Sequence, residues 1–263
     1  MSEDLAMGCR RLVDKVIVVA GASSGIGRAT ALRLAAEGAK VVAASPASEK
    51  DKIDSLVQEI TGKGGQAIGC HFDATDDASV ARLIDTAATS FGGIDAVHAN
   101  FADLRILMTD SDVLTVSDEV LERTLDVNLK GMLRITRHAL PKLLERGGGA
   151  MIYTSSAAAI AAEPVRPCYA MAKAGINALV RHVASGWGQQ GIRANAIMPG
   201  LVVTPELRQT MPTDFQQEVL ARGRSPRLGQ VEDIAAMVAH LASRDGEWIS
   251  GQSIAVDGGS TVS

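Results

Sequence analysis

Tyr169 and Lys173 stand four residues apart at the start of a predicted helix, so their side chains share one face and can address one ligand. A free phenol titrates near 10 and is a poor base at neutrality. An adjacent ammonium favours the phenolate, and a downward shift of about three units corresponds to roughly 4 kcal/mol of differential stabilisation. A Tyr-x-x-x-Lys pair alone is common in amphipathic helices, so its neighbours decide what it means. Thirteen residues before the tyrosine lies Ser156, in Ile152-Tyr153-Thr154-Ser155-Ser156 at the end of a strand-like run. Its hydroxyl, or that of Ser155, could hold a carbonyl or alkoxide oxygen beside the phenol.

A second constellation, Gly21-Ala22-Ser23-Ser24-Gly25-Ile26-Gly27, directly follows the strand pattern KVIVVA at 15–20 and opens a helix running from about Ser24 to Gly38. The first glycine permits a turn, and the later ones let a phosphate approach backbone N–H groups at the helix N-terminus. A glycine-rich turn can also pack helix on strand, but a strand, KVVAAS, follows at 40–45 and completes a βαβ unit, the setting of a dinucleotide site. Where the second strand ends, a carboxylate would accept hydrogen bonds from a ribose 2′-OH and repel a 2′-phosphate. The chain instead reads Ala43-Ala44-Ser45-Pro46-Ala47-Ser48, with no acid before Glu49. NADP(H) is therefore the preferred expectation. NAD(H) stays open, because the sequence does not place the basic candidates Arg28 and Lys50.

The elements that must position these residues follow one rhythm. Further strands are expected near 66–71, 94–99, 149–154, 192–198 and 252–256, separated by helices near 50–62, 77–91, 118–146, 168–188 and 230–243. That alternation predicts an α/β fold, a Rossmann-like doubly wound parallel sheet in a single domain over 1–263, with ligands beyond the carboxyl ends of the strands. Gly147-Gly148-Gly149 reads as a tight turn after a helix. With 46% apolar and 21% charged residues the chain can close a large core. Only 3% aromatics and a net charge of −4 disfavour a nucleic-acid or acidic-membrane partner. The first fifteen residues hold no apolar leader, and no segment reaches the roughly 18 to 20 apolar residues of a membrane span, so a cytoplasmic protein is expected. Cys9, Cys70 and Cys168 are scattered and read as inert thiols. The five histidines lack ligand spacing, so no metal is expected. Asp76-Asp77 and Asp110-Ser111-Asp112 read as loop and helix-cap acids.

Taken in order, the motifs resemble those of the short-chain dehydrogenase/reductase family, in a branch similar to the β-ketoacyl reductases, over about 14–260. The resemblance implies a tetrad of Asn128, Ser156, Tyr169 and Lys173, and the family spacing selects Ser156 over Ser155. Asn128, in Leu125-Asp126-Val127-Asn128, would prop a helix bend and a proton-relaying water, and Lys173 would also hold the nicotinamide ribose. Ser45 occupies the place where NAD-specific relatives usually carry Asp. Asp73 and Ala74 match the position that contacts adenine, although Asp73 also suits a turn. Asn195 to Thr204 resembles the family's Pro-Gly turn, so Pro199, Gly200, Val202 and Thr204 are expected around the nicotinamide.

Two departures stand out: Ala20 replaces the usual Thr, and Ala99-Asn100-Phe101-Ala102 replaces Asn-Asn-Ala-Gly. Asn100 is retained as a cofactor contact, while Phe101 either reshapes the pocket or fills a gap. The implied reaction is hydride transfer between nicotinamide and a carbonyl carbon, with Tyr169 giving or taking the oxygen's proton. The rivals are an NAD-dependent alcohol dehydrogenase working oxidatively and a dinucleotide-sensing scaffold without chemistry. Enoyl reduction fits less well, since that branch spaces Tyr and Lys more widely. Segments 101–112, 157–168 and 204–225 should contact substrate. They are rich in Ala, Leu, Met and Pro, which points to a small carbonyl or alcohol with an apolar body. The helices near 118–146 and 168–188, with Met132, Leu133, Val180 and Val183 read on their outer faces, resemble those that form the family's four-helix subunit contact, which implies a homotetramer, with a dimer next.

Overall fold

The computed structural model describes residues 10–262, so Cys9 lies outside the described residues. Strand β1 (Val16–Ala20) is buried throughout and leads into α1 (Gly25–Ala36), β2 (Lys40–Ser45), α2 (Lys50–Gly62), β3 (Gln66–His71) and α3 (Asp77–Phe91). There follow β4 (Ala96–Ala99), α4 (Asp118–Leu125), α5 (Gly131–Glu145), β5 (Gly149–Thr154), the long α6 (Pro167–Trp187) and β6 (Ile192–Pro199). The chain closes with β7 (Val202–Val203), α7 (Pro205–Thr210), α8 (Thr213–Arg222), β8 (Gly229–Gln230), α9 (Val231–Ala242) and β9 (Ser253–Val256). Seven strands form one parallel sheet in the order β3-β2-β1-β4-β5-β6-β9, and β7 pairs with β8 apart from it. The expected Rossmann-like sheet is present, with element bounds within a residue or two of those read from the sequence.

Strand alternation explains why the sheet is covered on both sides. Val18 and Ala20 face a core shared with α3, α5 and α6, while Ile17 and Val19 face a second core built with α1, α2 and α9. Each fully buried Val or Ile contributes about 1.5–3 kcal/mol. The strand order reverses between β1 and β4, which lie side by side in register from Ile17↔Ala96 to Ala20↔Ala99. That reversal opens a crevice at the carboxyl edge, where Gly21 and Asn100 emerge together. At the opposite edge, a Cβ on Gly148 would meet the Gly191 carbonyl oxygen at 2.6 Å, so the glycine turn is packed against the start of β6.

Three expectations are corrected. The helix over 118–146 is not continuous: a π-helical turn, Asp126–Lys130, separates α4 from α5. Met132, Val180 and Val183 belong to the core beneath the sheet, and of the four residues read on outer faces only Leu133 is exposed. The segment 204–225, read only as a substrate-contacting stretch, carries two helices, α7 and α8, the first announced by its Thr204-Pro205 start. Phe101 resolves as a gap filler, its ring edge-on to Phe72 with centroids 5.3 Å apart. A Cβ on Gly131 would meet Phe101 Cε2 at 2.8 Å, so a glycine opposite accommodates the larger ring.

Candidate active site

Every strand that borders the crevice delivers a predicted residue to its carboxyl edge. β1 runs into the 21–27 loop and β2 ends at Ser45; β3 precedes Asp73 and Ala74, and β4 precedes Asn100. β5 precedes Ser156, and β6 ends at Pro199, before Gly200, Val202 and Thr204. The glycine loop is built for close approach. Gly21 sits at φ +92°, and a Cβ on Gly27 would lie 1.8 Å from the Gly21 carbonyl oxygen. Ser24 begins α1 without a side-chain cap, and no acid occupies the first turn, so N–H groups and positive helix potential are open to an anion. That donor set fits the pyrophosphate of a dinucleotide.

Around the rest of this cradle the fit is mixed. Ser45 is wholly buried, with its hydroxyl 3.3 Å from the Pro46 carbonyl. Arg28 pairs with Glu59, and Lys50 with Asp54. Asp73 is a turn acid as well as an edge residue: its Oδ1 accepts from the Thr75 amide at 2.8 Å and the Thr75 hydroxyl at 2.7 Å, which hold its carboxyl below the usual range. Ala74 is buried beneath Phe101 and gives its carbonyl to Arg134 at 2.9 Å. Thr204 caps α7 by accepting from the Leu207 amide at 3.1 Å, and its methyl lies against Gly25. Val202 pairs with Gly229, and Gly200 donates to the Val256 carbonyl at 3.3 Å.

Asn100 is fixed by a chain of hydrogen bonds that sequence reasoning did not find. His98 lies 2.9 Å from Thr154 Oγ1, which donates to Asn100 Oδ1 at 2.8 Å, and Asn100 Nδ2 donates to the Gly21 carbonyl at 3.0 Å. Because the threonine's proton goes to Asn100, the His98 Nε2 must carry the hydrogen it donates. Burial pushes this histidine down to about 3, so it stays neutral. The only sequence hint was polar residues inside strand patterns.

Ser156 and Lys173 lie near Tyr169, and Asn128 stands on a π-helical turn that packs against α6. Lys173 is buried, donates from Nζ to the Thr154 carbonyl at 2.8 Å, and lies 5.5 Å from the centroid of the Tyr169 ring. Ser156 lies close enough to the Tyr169 phenol to favour its ionised form. Ser155 turns away, donating to the Lys173 backbone carbonyl at 3.0 Å, which separates the two serine candidates. Asn128 occupies the π-helical turn, where its Oδ1 accepts from the Asp103 amide at 2.9 Å and its buried Nδ2 finds no partner among the described residues.

One electrostatic expectation is overturned. Burial raises the Tyr169 phenol above its ordinary value, outweighing the nearby Ser156 hydroxyl and the Arg166 charge, which lower it. The same desolvation brings Lys173 down to about 8, so the lysine is a weaker source of charge than a free one. Cys168, beside the tyrosine, is pushed up to about 11 by burial and by Asp110, which leaves it an inert thiol, and burial raises Cys70 too. Among the described residues no group of three or more His, Cys, Asp or Glu could hold a metal.

Residues 21–261 match the family described as Enoyl-(Acyl carrier protein) reductase. The 7alpha-hydroxysteroid dehydrogenase of Bacteroides fragilis is 31% identical over 252 residues, covering 96% of each chain. The chain belongs to the short-chain dehydrogenase/reductase family. The 3-oxoacyl-(acyl-carrier-protein) reductase of Thermotoga maritima is 31% identical over 252 residues, 96% of this chain and all of that one. A solved 7α-hydroxysteroid dehydrogenase in complex with NADH and 7-oxo glycochenodeoxycholic acid superposes with a TM-score of 0.88, at 30% identity over 95% of each chain. As a short-chain dehydrogenase/reductase, the protein is an NAD(P)-dependent oxidoreductase. Among the described residues no helix is long and apolar enough to cross a membrane.

Proposed function

We propose that the protein interconverts a ketone and a secondary alcohol on a small molecule with an apolar body, using NADP(H) in preference to NAD(H). The observation that carries the chemistry is the convergence of Ser156 and Lys173 on the Tyr169 phenol at the crevice. The bound nicotinamide supplies or accepts the hydride. Tyr169, kept protonated by its raised titration, gives a proton to the carbonyl oxygen in reduction and takes it back in oxidation. Ser156 holds that oxygen in place, and Lys173 contributes positive charge beside the phenol and would hold the nicotinamide ribose. Asn128, lacking a partner among the described residues for its buried amide, holds the water that passes protons to Lys173. The three intervening residues between Tyr169 and Lys173 favour carbonyl over enoyl reduction.

The apolar substrate body is supported by exposed Leu104, Met108, Leu114, Ile160 and Phe215 on the segments that follow the strand ends. The steroid and acyl ketones named for the relatives are of this kind. The NADP(H) preference rests on the missing acid at Ser45. A second reading, an NAD-dependent alcohol dehydrogenase, is favoured by the engagement of Arg28 with Glu59 and Lys50 with Asp54, which leaves neither committed to a 2′-phosphate. We also place the enzyme in the cytoplasm, as a homotetramer.

Fluorescence titration with NADPH and NADH, followed by a panel of cyclic and steroid ketones monitored at the nicotinamide absorbance, tests these assignments. NADPH should bind more tightly and be oxidised only with ketone present. Tyr169→Phe should bind cofactor unchanged and lose turnover roughly 1,000-fold, the scale of general acid–base catalysis. Turnover by Tyr169→Phe at the wild-type rate would refute the mechanism, and tighter NADH binding would move the assignment to the oxidative dehydrogenase.

A further inference from the structure

The helix that carries Tyr169 has no cap of its own. Arg166, at the N-cap position of α6, adopts a left-handed conformation (φ 68°, ψ 46°) and offers no capping side chain, while Pro167 takes the first turn. The first free amides belong to Cys168 and Tyr169. Both are satisfied from a distant loop: Asp110 accepts from the Cys168 amide at 3.3 Å through Oδ1 and from the Tyr169 amide at 2.8 Å through Oδ2. The neighbouring Ser111 carbonyl accepts from the Arg166 amide at 2.8 Å, a second tie between the same two segments. Asp110 is 3% exposed and has no cationic partner in an ion pair among the described residues, so the amides at the open end of the helix are what hold it.

We infer that Asp110 is a positioning residue for the reaction, fixing Tyr169 by gripping the amide of that residue and coupling the loop after β4 to the catalytic end of α6. The assignment rests on the catalytic role proposed above for Tyr169. A side chain pivots on its own backbone, so releasing that amide frees the Cα that aims the phenol at Ser156. Misplacement by an ångström costs on the order of 100-fold in rate. The coupling also runs outward. The loop that supplies Asp110 exposes Leu104, Met108, Val113 and Leu114, so an apolar molecule lodging against it bears on the joint that holds the tyrosine. Asp110 thereby links contact with the substrate body to alignment of the acid.

The test compares Asp110→Ala, Asp110→Asn and the matched cap loss Ser117→Ala, which removes the side chain that accepts from the Val120 amide on α4. For each, kcat, KM, cofactor affinity, thermal midpoint and amide hydrogen exchange of residues 168–171 are measured on the full chain. Asp110→Ala should lower kcat roughly 30-fold or more with cofactor affinity within about twofold. Exchange at the first turn of α6 should rise about tenfold. Asp110→Asn keeps one accepting oxygen and should recover most of the rate; it also serves if the alanine variant fails to fold. Ser117→Ala should lose stability without losing kcat.

The proposal is overturned if exchange at 168–171 is unchanged in both Asp110 variants, or if Asp110→Ala retains kcat within about threefold of wild type. It is equally overturned if the loss merely tracks the thermal midpoint as in Ser117→Ala. Should exchange respond to Asp110 while Tyr169→Phe keeps its turnover, the catalytic reading of Tyr169 fails and the joint between loop and helix stands.

Discussion

Lys173 concentrates the tension between stability and chemistry at a single side chain. Burial that lowers it from 10.5 to about 8 corresponds to about 3 kcal/mol of destabilisation at neutral pH. Its hydrogen bond to the Thr154 carbonyl offsets part of this. Lys173→Met removes the charge at similar volume and leaves that carbonyl unpaired, so the two effects oppose and stability at pH 7 should change by only about 1 kcal/mol. Activity should fall on the order of 100-fold or more. The sign of the pH dependence follows from linkage. Between about 8 and 10.5 the unfolded chain holds a proton on this lysine that the folded chain has released, so wild-type stability relative to Lys173→Met rises with pH across that window and is flat below it. Denaturant titrations of both proteins at pH 7 and pH 10 check this; parallel curves would mean that the lysine keeps an ordinary titration.

The π-helical turn between α4 and α5 is followed by a glycine packed against the residues that leave β3 and β4. Gly131 opens α5 directly against Phe101 and Ala74, at 2.8 and 3.1 Å from where its Cβ would be. Gly131→Ala gains helix propensity, about 1 kcal/mol, yet drives a methyl into an aromatic ring and should destabilise by about 1–3 kcal/mol net. Phe101→Leu shortens the ring and should absorb most of that clash, giving a double mutant more stable than the sum of the single changes predicts. Additive effects by thermal unfolding would show that the two do not share the space. This pairing marks the limit of what the sequence conveyed. Strand and helix limits were legible because Val-rich runs, glycine punctuation and apolar period are local signals, and the edge positions of Ser156, Asn100 and Gly21 followed from them. The π-helical turn, the Gly131–Phe101 accommodation, the His98–Thr154–Asn100 chain and the grip of Asp110 on α6 depend on partners 25 to 80 residues away, for which spacing carries no signal. The raised titration of Tyr169 escaped for a related reason, since the ammonium was visible in the spacing but the desolvation was not.

At the scale of the whole molecule, two apolar surface features lie apart from the crevice loops. α5 and α6 enclose a groove of about 300 Å³ lined by Leu133, Leu140, Pro141, Leu144, Leu179 and Trp187, with Leu133 45% exposed. On the far side, β9 is an edge strand that pairs, among the described residues, only with β6, and Trp248 just before it is fully exposed. An unpaired strand edge with an exposed tryptophan and an apolar helix pair are separate patches, and each can meet its own copy about a twofold axis. Two such contacts generate a tetramer with dihedral symmetry, and either alone generates a dimer. Sedimentation should therefore give about four times the 27.4 kDa chain mass for the wild type. Leu133→Glu, placing a charge in the helix groove, should leave dimers joined through β9, and Trp248→Arg should leave dimers joined through α5 and α6. Only the combined variant should sediment as a monomer. A wild-type monomer at micromolar concentration would sink the assembly, and monomers from either single change would mean that the two patches belong to one contact rather than two.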